Sequence, residues 1–115
     1  MAMRRAAPRR GGAAITPAVQ LETKRRILDH AAKTMPDKAS QVRVWFRGSC
    51  CYIDAEEPGA PVTTHLCRLR YQCMGRWSMA FYKYSDEKYE SSVFMSGAAT
   101  GTPEEAFDIG SLYLQ

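Results

Sequence analysis

From Val42 to Ala55 the chain reads VRVWFRGSCCYIDA, with apolar and polar side chains alternating on either side of Gly48-Ser49. A two-residue loop with Gly first is the signature of a type II′ hairpin turn, and the turn sets the register of its two strands. Arg47 then faces Cys50, Trp45 faces Tyr52 and Arg43 faces Asp54, while Phe46, Val44 and Val42 face Cys51, Ile53 and Ala55. Successive side chains point to opposite faces of a strand. One face of this ribbon is therefore wholly apolar, and the other carries Arg43, Trp45, Arg47, Tyr52 and Asp54.

The same alternation continues downstream. After a Pro- and Gly-rich loop, Glu56 to Thr64, a third strand is predicted over His65–Gln72, with His65, Cys67, Leu69 and Tyr71 on one side and Leu66, Arg68 and Arg70 on the other. A fourth, Arg76–Tyr84, sets Trp77, Met79, Phe81 and Lys83 against Ser78, Ala80, Tyr82 and Tyr84. A three-residue loop, Cys73-Met74-Gly75, pairs Gln72 with Arg76, Tyr71 with Trp77, Leu69 with Met79 and Cys67 with Phe81. A four-residue turn, Ser85 to Lys88, leads to a fifth strand, Tyr89–Met95, with Tyr84 opposite Tyr89, Lys83 opposite Glu90 and Met79 near Phe94. Every one of these pairings keeps like polarity on like faces.

Helical spacing takes over at the two ends. Thr16-Pro17 supplies an N-cap and a first-position proline, and Leu21, Leu28, Ala31, Ala32 and Met35 form the predicted buried stripe. Glu22 to Arg26 and Asp29 to Lys33 are i,i+4 ion pairs on the wet side, His30 lies off the stripe with no assigned role, and Pro36 ends the helix. Thr102-Pro103-Glu104-Glu105 carries a capping box for a second helix, whose apolar side is Ala106, Ile109 and Tyr113 flanked by Phe107 and Leu114. Gly110 weakens that helix by about 1 kcal/mol relative to Ala.

The predicted fold is α+β: a five-stranded antiparallel meander, order 1-2-3-4-5, with an N-terminal and a C-terminal helix covering its Val44, Phe46, Ile53, Leu69, Met79, Phe81 face. The domain runs from residue 15 to residue 115, behind a flexible Arg-rich arm over residues 1–14. Its 115 residues, 45% hydrophobic and 24% charged, suit one domain with its own core. No apolar run approaches the roughly 20 residues that span a bilayer. The Arg-rich start has no secretory character, so a cytoplasmic location away from membranes is expected. The net charge of +4 is carried entirely by Arg4, Arg5, Arg9 and Arg10 in the arm, leaving the body neutral, which is weaker support for nucleic-acid binding than a basic body is.

Candidate function sits on the face the helices leave free. It gathers Arg43, Trp45, Arg47, Tyr52, Arg68, Arg70, Tyr82 and Tyr84, together with Asp54 and Tyr89. Arg, Trp and Tyr are the residues enriched at interaction hot spots, so the first reading is a non-enzymatic binding module that self-associates, as a homodimer for instance, or docks a protein. Rings and guanidinium groups also stack on bases; single-stranded nucleic-acid binding, helped by the arm, is the second reading. Cation–π contact of Arg43, Arg47 or Arg68 with Trp45 is also open to the monomer alone.

A catalytic or metal reading centres on His65 and Cys67, placed two apart on one side of a strand. Cys67 belongs to the apolar row, where a free thiol behaves as a small hydrophobe, and no ligand-spaced motif accompanies the pair. Cys50 and Cys51 point to opposite faces, and Cys67 and Cys73 lack CxxC spacing. Glycine-rich phosphate loops, nucleophile elbows, metallohydrolase motifs and dinucleotide fingerprints are all missing from the sequence. No cofactor, no metal and no catalytic residue is therefore expected, with a small enzyme or metal site around His65 and Cys67 as the third reading.

The segments VRVWFRGSCCYID, HLCRLRY, RWSMAFYKYSDEKYESSVF and GTPEEAFD, spread over residues 42–108, resemble a family of small uncharacterised bacterial proteins. FYKYSDEKYE and GTPEEAF are its most specific parts. The resemblance implies a compact single domain of unassigned function, with no catalytic residues to carry over. The EEPGAPV loop departs from that pattern, being expected longer elsewhere in the family.

Overall fold

A computed structural model describes residues 15–114, with elements in the order α1 (Pro17–Thr34), a 3-10 turn (Ala39–Gln41), β1 (Val42–Arg47), β2 (Cys50–Ala55), β3 (Thr64–Cys73), β4 (Arg76–Lys83), β5 (Lys88–Ser92), α2 (Pro103–Gly110) and a final 3-10 turn (Ser111–Leu114). The five strands form a single antiparallel sheet in sequence order, with the helices on one face. The fold is α+β, as the alternation required. The arm over residues 1–14 lies outside the described residues.

β1 and β2 pair as the Gly-Ser turn dictates, from Arg47 opposite Cys50 to Val42 opposite Ala55. Gly48 takes φ 61° and Ser49 stays at negative φ, the combination that defines a type II′ turn. Between β3 and β4 the loop is shorter than predicted. Met74 and Gly75 both have positive φ, 49° and 78°, so a two-residue type I′ turn closes the hairpin and Cys73, not Gln72, faces Arg76. A bulge between Tyr71 and Cys73 absorbs the difference, and Tyr71 still faces Trp77 and Leu69 still faces Met79. The primed turn matches strand twist better than the longer loop does.

The β4–β5 register differs by two residues from the one predicted. Tyr82 faces Tyr89, Lys83 faces Lys88 and Phe81 faces Glu90, and Glu87 at φ 55° closes the turn. A slip of two preserves every side chain's face. Lys83 still reaches Glu90, diagonally at 3.8 Å, and also Asp86 at 3.4 Å. β5 ends at Ser92, three residues early, because a turn closed by Gly97 N–H to Phe94 O at 2.7 Å carries Phe94 into the core.

One departure matters for function. Ile53 faces Cys67 but Asp54 faces His65, so Leu66 is an extra residue and the register shifts between Ile53 and Asp54. A bulge of this kind breaks the period-two alternation. Leu66 and Cys67 are both fully buried in the core, and His65 is turned to the opposite face.

The buried row of α1 is also rotated from the predicted stripe. Thr23, Ile27 and Ala31 are its buried residues, with Val19, Leu28 and Met35 packed beside the core. Leu21 is 73% exposed and Ala32 is exposed. The rotation follows from contacts with α2 that one helix cannot announce. Arg26 donates two hydrogen bonds to Glu104, Nε to Oε2 at 2.8 Å and Nη2 to Oε1 at 2.6 Å, and His30 Nε2 lies 2.7 Å from Asp108 Oδ1. Glu22 pairs with Arg25 in place of Arg26, and Asp29 also takes Arg25, at 3.0 Å, in place of Lys33.

α2 starts at Thr102 with the complete capping box. It buries Pro103, Ala106, Phe107 and Gly110, with Ile109 only partly buried. A β-carbon on Gly110 would lie 3.2 Å from Cys67 Sγ and 3.3 Å from the Leu66 carbonyl oxygen. The glycine lets α2 approach the bulge of β3, so the helix propensity it forfeits is exchanged for close packing.

The bidentate Arg26–Glu104 pair holds the Glu104 carboxyl below its ordinary 4.5 through its hydrogen bonds to Arg26. A depressed folded-state pKa stabilises fully above the unfolded value and ceases to stabilise as pH falls through the folded one. Glu104→Gln is expected to cost about 1 kcal/mol at pH 7, with the gap from wild type closing as denaturation is repeated at successively lower pH below 4.5.

Candidate functional site on the open face of the sheet

The outer face is built around a buried carboxylate. Asp54 in β2 is 5% exposed, and burying a carboxylate is costly unless donors replace its water. Trp45 Nε1 donates to Oδ2 at 2.7 Å and His65 Nδ1 lies 3.1 Å from Oδ1. Trp45 sits diagonally across the β1–β2 ladder from Asp54, and His65 sits directly opposite because of the bulge. A carboxylate oxygen only accepts, so the imidazole hydrogen lies on Nδ1. One side chain thus joins three strands.

Rings pack outward from this centre. Trp45 stacks on Tyr52 with centroids 4.1 Å apart and planes 9° from parallel. His65 packs against Tyr82 at 4.5 Å, and Tyr82 meets Tyr84 and Tyr89 edge to face at 4.8 and 5.1 Å. Tyr89 reaches within 5.8 Å of Tyr52 although β3 and β4 lie between their strands; its side chain lies along the sheet. Arg68 places its guanidinium 5.0 Å above the Tyr89 ring. The Tyr84 hydroxyl accepts from the His65 backbone N–H at 2.9 Å. The Tyr89 hydroxyl is buried without a hydrogen-bond partner among the described residues, and burial, with Asp54 adding, pushes its phenol well above the ordinary value. Trp45 and Tyr84 are the exposed ends of the cluster, 42% and 54% accessible.

The predicted face residues divide into groups. Trp45, Tyr52, Tyr82, Tyr84, Tyr89 and Arg68 join the cluster. Arg70 lies beside Arg68 with Gln72, Ser78 and Ser91 around a concavity of about 410 Å³. Arg43 turns to its own end of the sheet, donating to Ser40 O at 2.6 Å and lying 3.3 Å from Glu56. Arg47 is exposed and makes no ion pair among the described residues. The expected cation–π contact on Trp45 is replaced by Arg68 on Tyr89, since Trp45 is engaged by Tyr52.

His65 and Cys67 do not form one site. The bulge puts the imidazole outside among Tyr82, Tyr84 and Tyr89, while the Cys67 thiol faces α2, 3.8 Å from Ala106 O. Burial pushes that thiol up to about 12, with Asp54 adding, and burial raises Cys51 as well. Neither is a thiolate at neutral pH. Among the described residues no three His, Cys, Asp or Glu side chains are placed to hold a metal ion. Asp54 holds His65 as a carboxylate holds a catalytic imidazole, and the ring is surrounded by Tyr82, Tyr84 and Tyr89.

Alternation joins His65 to Cys67 in the core-facing row; the bulge instead turns it outward onto Asp54, a partner eleven residues earlier that no local pattern announces.

Comparison with protein-family models, with curated proteins and with solved structures finds no match. No helix among the described residues is long and apolar enough to cross a membrane.

Asp54→Ala leaves two N–H groups without their acceptor on a half-buried surface and is expected to cost about 2 kcal/mol; near-ultraviolet circular dichroism and chemical denaturation check the loss of the ordered Trp45–Tyr52 stack. Under native conditions a thiol reagent is expected to label exposed Cys73 rapidly, and Cys50, Cys51 and Cys67 only as slowly as the fold opens. Mass spectrometry of the modified chain reads the order.

Proposed function

We propose that this protein is a non-enzymatic binding module that self-associates or docks a protein partner through the outer face of its sheet. The observation that carries the reading is the Asp54-anchored cluster, which holds Trp45 and Tyr52 in one arrangement before any partner arrives. Rings already ordered lose little entropy on binding, and Trp, Tyr and Arg are the side chains that dominate interface energetics. Neither helix covers this face. Four gaps between strands at about 4.8 Å and about 20 Å of strand length give roughly 400 Å² in plan. Two copies face to face then bury roughly 800 Å² in total, below the about 1,000 Å² of stable specific interfaces, which suits weak, reversible association.

A second reading, single-stranded nucleic-acid binding, is favoured by Arg47, Arg68 and Arg70, which make no ion pair among the described residues. It stands behind the first because Trp45 and Tyr52 stack on each other, which occupies faces that bases require. Light scattering across a wide concentration range is expected to show a wild-type mass that rises toward a dimer, and a Trp45→Ser, Tyr52→Ser double variant that stays monomeric. A monomeric mass in both removes self-association. Titration of the same samples with oligothymidylate separates the nucleic-acid reading, whose affinity falls steeply with salt.

A further inference from the structure

Next to the aromatic cluster, the outer face changes character. Ser78, Ala80 and Ser91 are the outward residues at the centre of β4 and β5, and their short side chains leave a depression. Long side chains of β3 wall it: Arg68 is opposite Ala80 and Arg70 opposite Ser78. The concavity lined by Arg68, Arg70, Gln72, Ser78 and Ser91 holds about 410 Å³, and no carboxylate lines it. Asp54 is held by Trp45 and His65, and Glu90 lies on the other face near Lys83. Neither guanidinium has an ion-pair partner among the described residues.

We infer that this pocket is an anion site that takes a phosphomonoester. The inference rests on the reading of the outer face as the binding surface. Gln72 Nε2 donates to Ser78 Oγ at 3.0 Å and to the Arg70 carbonyl at 3.4 Å, which fixes the serine as acceptor and leaves its own O–H to donate. Gln72 is thus a positioning residue. Two guanidinium groups and the hydroxyls of Ser78 and Ser91 then converge as donors without a competing acceptor. A carboxylate has two oxygens and is satisfied by one bidentate arginine. A phosphomonoester, with three terminal oxygens and close to two charges at neutral pH, matches two arginines and two hydroxyls. A phosphodiester exposes only two such oxygens and needs a track of cations along its strand, whereas this pocket is local. The Tyr89 ring beneath Arg68 supports the guanidinium by cation–π contact at 5.0 Å, so the charge is held in place before the ligand arrives.

The test is a titration of the full chain, kept dilute enough to be monomeric, with inorganic phosphate, O-phosphoserine and acetate at constant ionic strength, followed by amide chemical shifts. Phosphate and O-phosphoserine are expected to saturate, with shifts confined to residues 68–72, 78 and 91, and to bind at least about tenfold more tightly than acetate. Arg68→Gln and Arg70→Gln are each expected to weaken binding by about tenfold or more with native circular dichroism retained, while Lys24→Gln on α1 leaves it unchanged. Non-saturating shifts, equal response to acetate, or equal loss in Lys24→Gln overturns the assignment. So does saturable binding of unphosphorylated oligothymidylate without binding of the two monoesters, which transfers the arginines to the nucleic-acid reading. Because these measurements are made on monomer, anion binding is read separately from the mass measured by light scattering, and a strictly monomeric protein that binds phosphate retains the site without self-association.

Discussion

A carboxylate buried on the solvent side of a sheet cannot stand alone, and the outer half of this molecule is arranged to answer Asp54. Water would otherwise solvate it, and only directed donors offset that loss. The indole of β1 and the imidazole of β3 supply them. Each donor is a flat ring, so satisfying the charge also fixes two ring planes. Tyr52 stacks on one and Tyr82 packs against the other. An electrostatic requirement at one atom is thereby converted into an ordered aromatic surface several strands wide.

The bulge at Leu66 makes this arrangement possible and ties it to the opposite side of the sheet. Without the extra residue His65 would follow Cys67 into the core and Asp54 would lose a donor. With it, Leu66 and Cys67 both face α2, and the helix must come close over the irregular backbone. Gly110 permits that approach, because a β-carbon there would press on the Cys67 sulfur and the Leu66 carbonyl. α2 in turn sets the rotation of α1 through Arg26–Glu104 and His30–Asp108. A chain of contacts therefore runs from the outer carboxylate, through the bulge, to the helix pair.

The outer face has two physically distinct halves. Around Asp54 the side chains are large, aromatic and packed against one another, and the Tyr89 hydroxyl is buried without a hydrogen-bond partner among the described residues. Along β3 and β4 they are small or cationic and their charge is not neutralised locally. Arg68 belongs to both halves, lying over Tyr89 and lining the concavity. Ordered rings thus lie beside guanidinium groups that have no ion-pair partner among the described residues.

What the linear pattern determined was everything governed by near neighbours. Gly48-Ser49 set the first hairpin, Thr102 and Glu105 capped α2, Pro36 closed α1, and strict alternation placed Val44, Ile53, Leu69 and Met79 inward with Trp45, Tyr52, Arg68 and Arg70 outward. These follow from local sterics and a period of two, and small errors of loop length at Met74-Gly75 and Glu87 left every face intact because the slips were absorbed by a bulge or came in twos. Tertiary structure alone decided what depends on residues distant in the chain. Nothing near His65 shows that it must leave the core row, since the reason is a carboxylate eleven residues earlier on another strand. Nothing in α1 shows that Leu21 and Ala32 stay in solvent, since the rotation is imposed by Glu104 and Asp108. Periodicity reports which face a residue takes while its element stays regular, and it falls silent where a distant partner makes irregularity the lower free energy.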